Sequence, residues 1–185
     1  HIDVAIVGEP TLMQLAVAEK GLVVFDAVIS GTASHAAHPN ADNPIMKLPE
    51  VLRWFNNFTF EKESEVLGPV KITVTQVSAG KQHNVVPADV HMVIDVRVND
   101  CYSNQEIVDL LQQDAPCTLT PRSTNLNSSS IPLTHELVQA GIGLGREPYG
   151  SPTLSDQAKL SCPSLKLGPG DSTRSHTANE FIHVS

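Results

Sequence analysis

Residues 90–98 alternate without a break: Val90, Met92, Ile94, Val96 and Val98 on one side, His91, Asp95 and Arg97 on the other. A period of two marks a β-strand with one face on a core and one on solvent. Residues 70–77 repeat it, with Val70, Ile72 and Val74 set against Lys71, Thr73 and Thr75. A Val/Ile-rich run from Leu22 to Gly31 predicts a further strand. Asn43-Pro44 opens a helical stretch in which Ile45, Leu48, Leu52 and Phe55 share an apolar face. Pro49 inside it predicts either a bent first turn or a regular helix that begins near Pro49.

Ser103-Asn104-Gln105-Glu106 has the form of a capping box. It predicts a second helix with Ile107, Leu110 and Leu111 as its apolar stripe, ended by Pro116. Cys117 to Thr120 begins a fourth extended segment. From residue 21 to about 128 the order is therefore β-α-β-β-α-β. That is the ferredoxin-like pattern, a four-stranded antiparallel sheet with two helices on one face.

Two flanking pieces remain, residues 1–20 and 129–185. The first predicts a buried strand over 2–7 that runs into Gly8-Glu9-Pro10-Thr11. The second predicts a helix over 133–145 and a strand over 160–168, after a polar, Ser-rich linker from Asn125 to Ser130. Neither piece buries a core alone, so the fold class is α/β: one domain split by an inserted small domain.

Composition excludes several functions. The net charge is −8 and Lys/Arg are not clustered; nucleic-acid binding needs a basic stripe. No apolar run reaches the length of a membrane span. The three cysteines, Cys101, Cys117 and Cys162, make neither a disulfide framework nor a metal motif. They read as buried small hydrophobes in a reduced, cytoplasmic protein.

Several residues have chemistry to offer, each beside a plainer role. Glu9 at a strand end is an exposed loop acid, or else a metal ligand or base. His35 and His38 sit among small residues in Gly31 to Pro39; they are solvent-exposed loop histidines or donors to an oxyanion. Arg97 pairs with Asp95, or else its guanidinium fork grips a substrate carboxylate. Asn84 lies in the hairpin loop. Gly168-Pro169-Gly170 is a turn whose backbone N–H groups suit an anion. His176 flanks a helix start or ligates a metal.

Taken in order, Val7-Gly8-Glu9-Pro10-Thr11, Gly31 to Pro39, Asn84-Val85-Val86-Pro87 with Asp95-Val96-Arg97, and Gly168-Pro169-Gly170 with Ser175-His176-Thr177 resemble the zinc-dependent family of acetylornithine deacetylase, succinyl-diaminopimelate desuccinylase, aminoacylase and carboxypeptidase G. The resemblance spans essentially the whole chain and is nearest to acetylornithine deacetylase. It implies a zinc-hydrolase α/β domain interrupted by a ferredoxin-like lid that forms a homodimer. It implies hydrolysis of an N-acetyl or N-succinyl amino acid such as N-acetylornithine, in arginine- or lysine-type biosynthesis.

By position, Glu9 and His176 would each ligate one of two Zn2+ ions, with Co2+ as a substitute. His35 would stabilise the oxyanion in the partner subunit's site. Asn84 and Arg97 would hold the substrate, and Gly168 and Gly170 would line its pocket. His38 has no assigned role. The family also needs an upstream His-x-Asp, a bridging Asp and a Glu-Glu pair, and only eight residues precede Glu9. The expectation is a fragment that alone neither holds zinc tightly nor catalyses. The alternative is a lid module competent only for homodimerisation.

Overall fold

The computed structural model describes residues 2–182. In chain order the strands are β1 (Ala5–Val7), β2 (Leu15–Glu19), β3 (Gly21–Ser30) and β4 (Ser34–His35), followed by helix α1 (Pro44–Asn57). Then come β5 (Lys71–Ala79), β6 (Val85–Val86), β7 (Asp89–Val98), α2 (Asn104–Asp114), β8 (Thr118–Pro121) and β9 (Ser129–Ser130). α3 (Glu136–Gly143), β10 (Pro148–Ser151) and β11 (Ser164–Lys166) complete the set.

The inserted part is an antiparallel sheet in the order β5-β7-β3-β8. Its inward row (Val23, Phe25, Ala27 and Ile29 from β3, and the even-numbered residues 90–98 of β7) joins both helices in one core. The alternation read from the sequence is thus the core face of β7. In β5 it holds only to Val74. A register shift between Val74 and Gln76 inserts a bulge, after which Val77 is exposed. A bulge places two residues opposite one, so the faces exchange.

The helices correct two predicted faces. α1 begins at Pro44, capped by the Asn43 side chain, and continues through Pro49. Its buried residues are Pro44, Val51 and Phe55, and Ile45 is exposed. In α2 the capping box forms, and the buried side is Ile107, Val108 and Leu111, with Leu110 exposed. An i, i+1, i+4 stripe fits a 3.6-residue turn; both 107 and 108 face the sheet, and 110 points away.

The flanking pieces build a mixed sheet, β1-β11-β2-β10, with β9 also on β2. β2 is buried along its whole length, with Leu15 and Val17 packed on Val138 of α3, Ile131 and Leu165. Continuous burial erases alternation in β2; β10, four residues long and exposed at its start, also escapes the sequence reading. Three boundaries shrink: the first strand to Ala5–Val7, the helix to Glu136–Gly143 and the last strand to Ser164–Lys166.

The predicted linker at 125–130 is part of the fold. Leu126 accepts the Leu22 N–H, the Ser128 hydroxyl donates to the Glu19 carbonyl, and β9 pairs with β2. The chain enters the inserted sheet at Lys20-Gly21 and returns beside it; a Cβ on Gly21 would stand 2.6 Å from the Ser128 nitrogen. The cysteines are half-buried rather than core; burial pushes the Cys117 thiol up to about 11.

Candidate functional site

β1 and β11 are parallel, so their carboxyl ends open on the same rim, the usual place for function in such sheets. Gly8-Glu9 follows one strand and Gly168-Pro169-Gly170 the other. Backbone bonds sew the loops together: Thr11 and Met13 donate to the Gly168 carbonyl, and Leu12 donates to that of Gly170. The Gly168 N–H is itself taken by the Thr11 hydroxyl, so it is not free for an anion. Gly170 sits at φ +90, which suits glycine. The two glycines line a cavity of about 460 Å³ with Glu9, Glu180 and Phe181.

Behind this turn lies a second cavity of about 170 Å³, where Glu9 and His176 meet. Tyr149, Ser151, Thr153, Lys166 and Ser175 complete much of its wall. His176 stands in a turn after a 3-10 segment, Ser172–Arg174, and not at the start of a helix. Its φ of +62 is rare for a side chain with a Cβ, and such strain gathers at functional positions. Asp171, which could have been a donor, caps the turn instead: the Thr173 N–H and hydroxyl hold its carboxyl below the usual range.

The donors do not by themselves make a zinc site. Zinc takes three or four protein ligands; among the described residues no group of three His, Cys, Asp or Glu is placed to hold a metal. Two donors of suitable chemistry face one cavity, and among the described residues no third metal-ligating group joins them.

His35 and Asn84 are brought together elsewhere. β4 pairs with β6, placing His35 opposite Val85, and the Ala36 N–H donates to the Asn84 carbonyl. Nδ1 of His35 accepts the Ala37 N–H at 3.1 Å. A neutral ring accepting at Nδ1 carries its proton on Nε2, so His35 presents a donor to solvent. His38 stacks obliquely on it, with centroids 5.7 Å apart.

Arg97 joins neither group. Its fork is closed on Asp95, Nε to Oδ1 at 2.8 Å and Nη2 to Oδ2 at 3.0 Å. It sits opposite Leu22, at the far end of β7 from Asp89. At ~3.3 Å per residue, that end is roughly 26 Å from the His35 end. Within one chain, Asn84 and Arg97 do not converge on one small substrate.

The sequence reading missed Lys166 and Glu19. Both are charged residues in otherwise apolar strands and both are buried, with side chains 3% and 0% exposed. A charge in the middle of Leu165-Lys166-Leu167 was the available signal.

A mixed sheet whose parallel strands β1 and β11 lead into the loops that bear Glu9 and His176, interrupted by a four-stranded insert, defines a two-part α/β fold. The peptidase dimerisation domain family matches residues 17–116, more than half of the sequence. The chain belongs to the M20 peptidase family, a family of metallopeptidases and amidohydrolases.

Among curated relatives, a succinyl-diaminopimelate desuccinylase of Erythrobacter litoralis is 30% identical over 112 residues, 57% of this chain and 30% of that protein. A putative [LysW]-lysine/[LysW]-ornithine hydrolase of Pyrobaculum aerophilum is 26% identical over 99% of this chain and 54% of its own length. In fold, a tripeptidase from Staphylococcus aureus superposes with a TM-score of 0.70 at 18% identity, covering 94% of this chain and 49% of that one. A dinuclear metal binding peptidase from Bacillus subtilis gives 0.68 at 18%, covering 97% and 51%. The chain spans about half the length, or less, of these relatives.

Proposed function

We propose that this chain supplies the lid, residues 21–128, and part of the catalytic α/β domain, residues 1–20 and 129–185, of a two-zinc amidohydrolase that removes an acetyl or succinyl group from an amino acid. The observation that carries the reading is the convergence of Glu9 and His176 on one cavity from opposite ends of the sequence, beside a dimerisation lid. Zinc binding would need further donors, so no step through the metal is derived from these residues. N-acetylornithine and N-succinyl-diaminopimelate both fit the reading; the desuccinylase and [LysW]-lysine hydrolase relatives favour neither uniquely.

His35 lies past the far end of β3, whose ten residues span roughly 30 Å at ~3.3 Å each. A hydrogen bond needs about 3 Å, so this side chain acts on a site only in trans, in a homodimer formed through the lid. Its Nε2 proton then faces the oxygen that gains charge when the amide carbonyl is attacked. Asn84, beside it, holds the acyl or carboxylate end of the substrate. Arg97, closed on Asp95, contributes to substrate binding only if that pair opens. Gly168 and Gly170 shape the pocket floor.

The test joins this chain to the part of the Pyrobaculum aerophilum relative that lies outside the alignment, loads zinc, and assays release of acetate from N-acetylornithine and of succinate from N-succinyl-diaminopimelate. Release of either acid supports the reading. A folded, zinc-loaded dimer that releases neither overturns it.

A further inference from the structure

The Lys166 ammonium is buried and fully engaged. Nζ donates to the Ser151 hydroxyl at 2.7 Å and to the Thr153 carbonyl at 2.9 Å, reaches the Thr153 hydroxyl at 3.3 Å, and lies 3.2 Å from Glu19 Oε2. The same carboxylate oxygen accepts the Ser155 hydroxyl at 2.7 Å. The other, Oε1, is buried without a partner among the described residues. Lys166, Ser151 and Thr153 all line the 170 Å³ cavity that Glu9 and His176 face.

Ionic groups are removed from water here at a cost that a hydrophobic pair would avoid. Lys166 has no donor left for a ligand, because an ammonium carries three hydrogens. What the network does hold is the path of Ser151 to Ser155, which leaves β10 and supplies Ser151, Thr153 and Leu154 to one wall of the cavity. Without it, the buried Ser151 hydroxyl and Glu19 carboxylate would lose their cationic partner, the tie from Lys166 to the Thr153 carbonyl would be cut, and the segment would open to water.

We infer that Lys166, clamped by Glu19, is a positioning residue that fixes the Ser151–Ser155 wall of the Glu9/His176 cavity. This rests on the reading of that cavity as part of the reaction site. The residue acts through the wall and not on substrate.

The experiment compares the whole chain with Glu19→Gln/Lys166→Met, Glu19→Gln and Lys159→Met, using amide hydrogen exchange and the imidazole resonances of His176. The double variant removes both charges together, so no lone buried ion remains to unfold the sheet. We expect exchange at residues 151–154 to accelerate about tenfold or more, from lost hydrogen bonds, and the His176 ring signals to move. The lid amides of Val23 and Ile94 should stay unchanged. Glu19→Gln alone keeps an acceptor for Ser155 but leaves Lys166 charged and buried without its counter-ion, so it should show the pattern at larger amplitude, and Lys159→Met should show none of it.

Unaltered wall exchange and His176 signals in a folded double variant overturn the inference. So does an equal change in lid and wall, which would make the pair a general stabiliser. If the double variant does not fold, the same outcomes in Ser151→Ala decide, since it removes one hydrogen-bond partner of Lys166 and leaves the ion pair whole. None of these readouts needs catalysis, so the hydrolase reading fails or stands separately.

Discussion

A Cβ on Gly168 would stand 2.6 Å from the carbonyl oxygen of Glu9. The second strand-end loop touches the first where no side chain fits, so the position of Glu9 depends on a hydrogen atom at residue 168. Gly168→Ala should push the Glu9 loop away and cost about 1–3 kcal/mol, the range for overpacking. Thermal denaturation checks the cost. Gly143→Ala is the control, since no atom lies within 4 Å of its Cβ position, and it should be neutral or slightly stabilising because it lies in α3.

His35→Ala should leave the melting temperature of the chain unchanged within error, because the ring is exposed. In the completed enzyme it should lower kcat by about 10²–10³, the usual loss for an oxyanion donor. Action in trans adds a sharper expectation. Mixing inactive His35→Ala subunits with inactive Glu9→Ala subunits should restore activity, because a mixed dimer holds one site with both groups. No recovery on subunit exchange would mean that His35 does not act across the dimer.

Zinc should associate with the purified chain at less than stoichiometric level and be stripped by a mild chelator. Two donors face the cavity and three or four are needed. Metal analysis after dialysis reads this directly. Tight, stoichiometric zinc would mean that donors other than Glu9 and His176 assemble.

The lid sheet has two edges. β8 is four residues long and β5 is nine, with Val77 exposed beyond its bulge. Long, uncovered edges are templates for pairing. Val77→Lys should shift a lid dimer toward monomer in analytical ultracentrifugation without altering the lid core. A dimer of unchanged strength would move the interface away from β5.

Acid should weaken the lid in a defined direction. The Arg122 hydrogen bond to Asp26, the Lys47 hydrogen bond to Asp42 and the Ser103 backbone N–H on Glu106 each hold a carboxyl below its usual range. A depressed folded-state value stabilises above the unfolded value and is lost as pH falls through the folded one. The melting temperature should therefore stay level down to about pH 4, the ordinary carboxylate value, and fall below it. Asp26→Asn should flatten that acid limb slightly, as expected for an exposed pair.

The lid was legible because its strands are wet on one side. Alternation in β7 and the capping box at Ser103-Glu106 carry their own instructions in adjacent residues, and both form as read. The exchange of faces after Val74 was not legible, because a bulge depends on the partner strand. β2 was hidden for the opposite reason: both its faces are covered, so it is buried throughout and leaves no period to detect.

The sequence by itself determined the β-α-β-β-α-β order of the inserted part, the inward row of β3 and β7, and the residue types from which a site could be drawn. Tertiary structure decided which of these meet. It brought Glu9 to His176 through the parallel pairing of β1 with β11, set His35 beside Asn84, kept Arg97 apart with Asp95, and buried Lys166 against Glu19. The reason is physical: periodicity and caps act between near neighbours in the chain, whereas a cavity exists only where distant segments are forced to share one rim of a sheet.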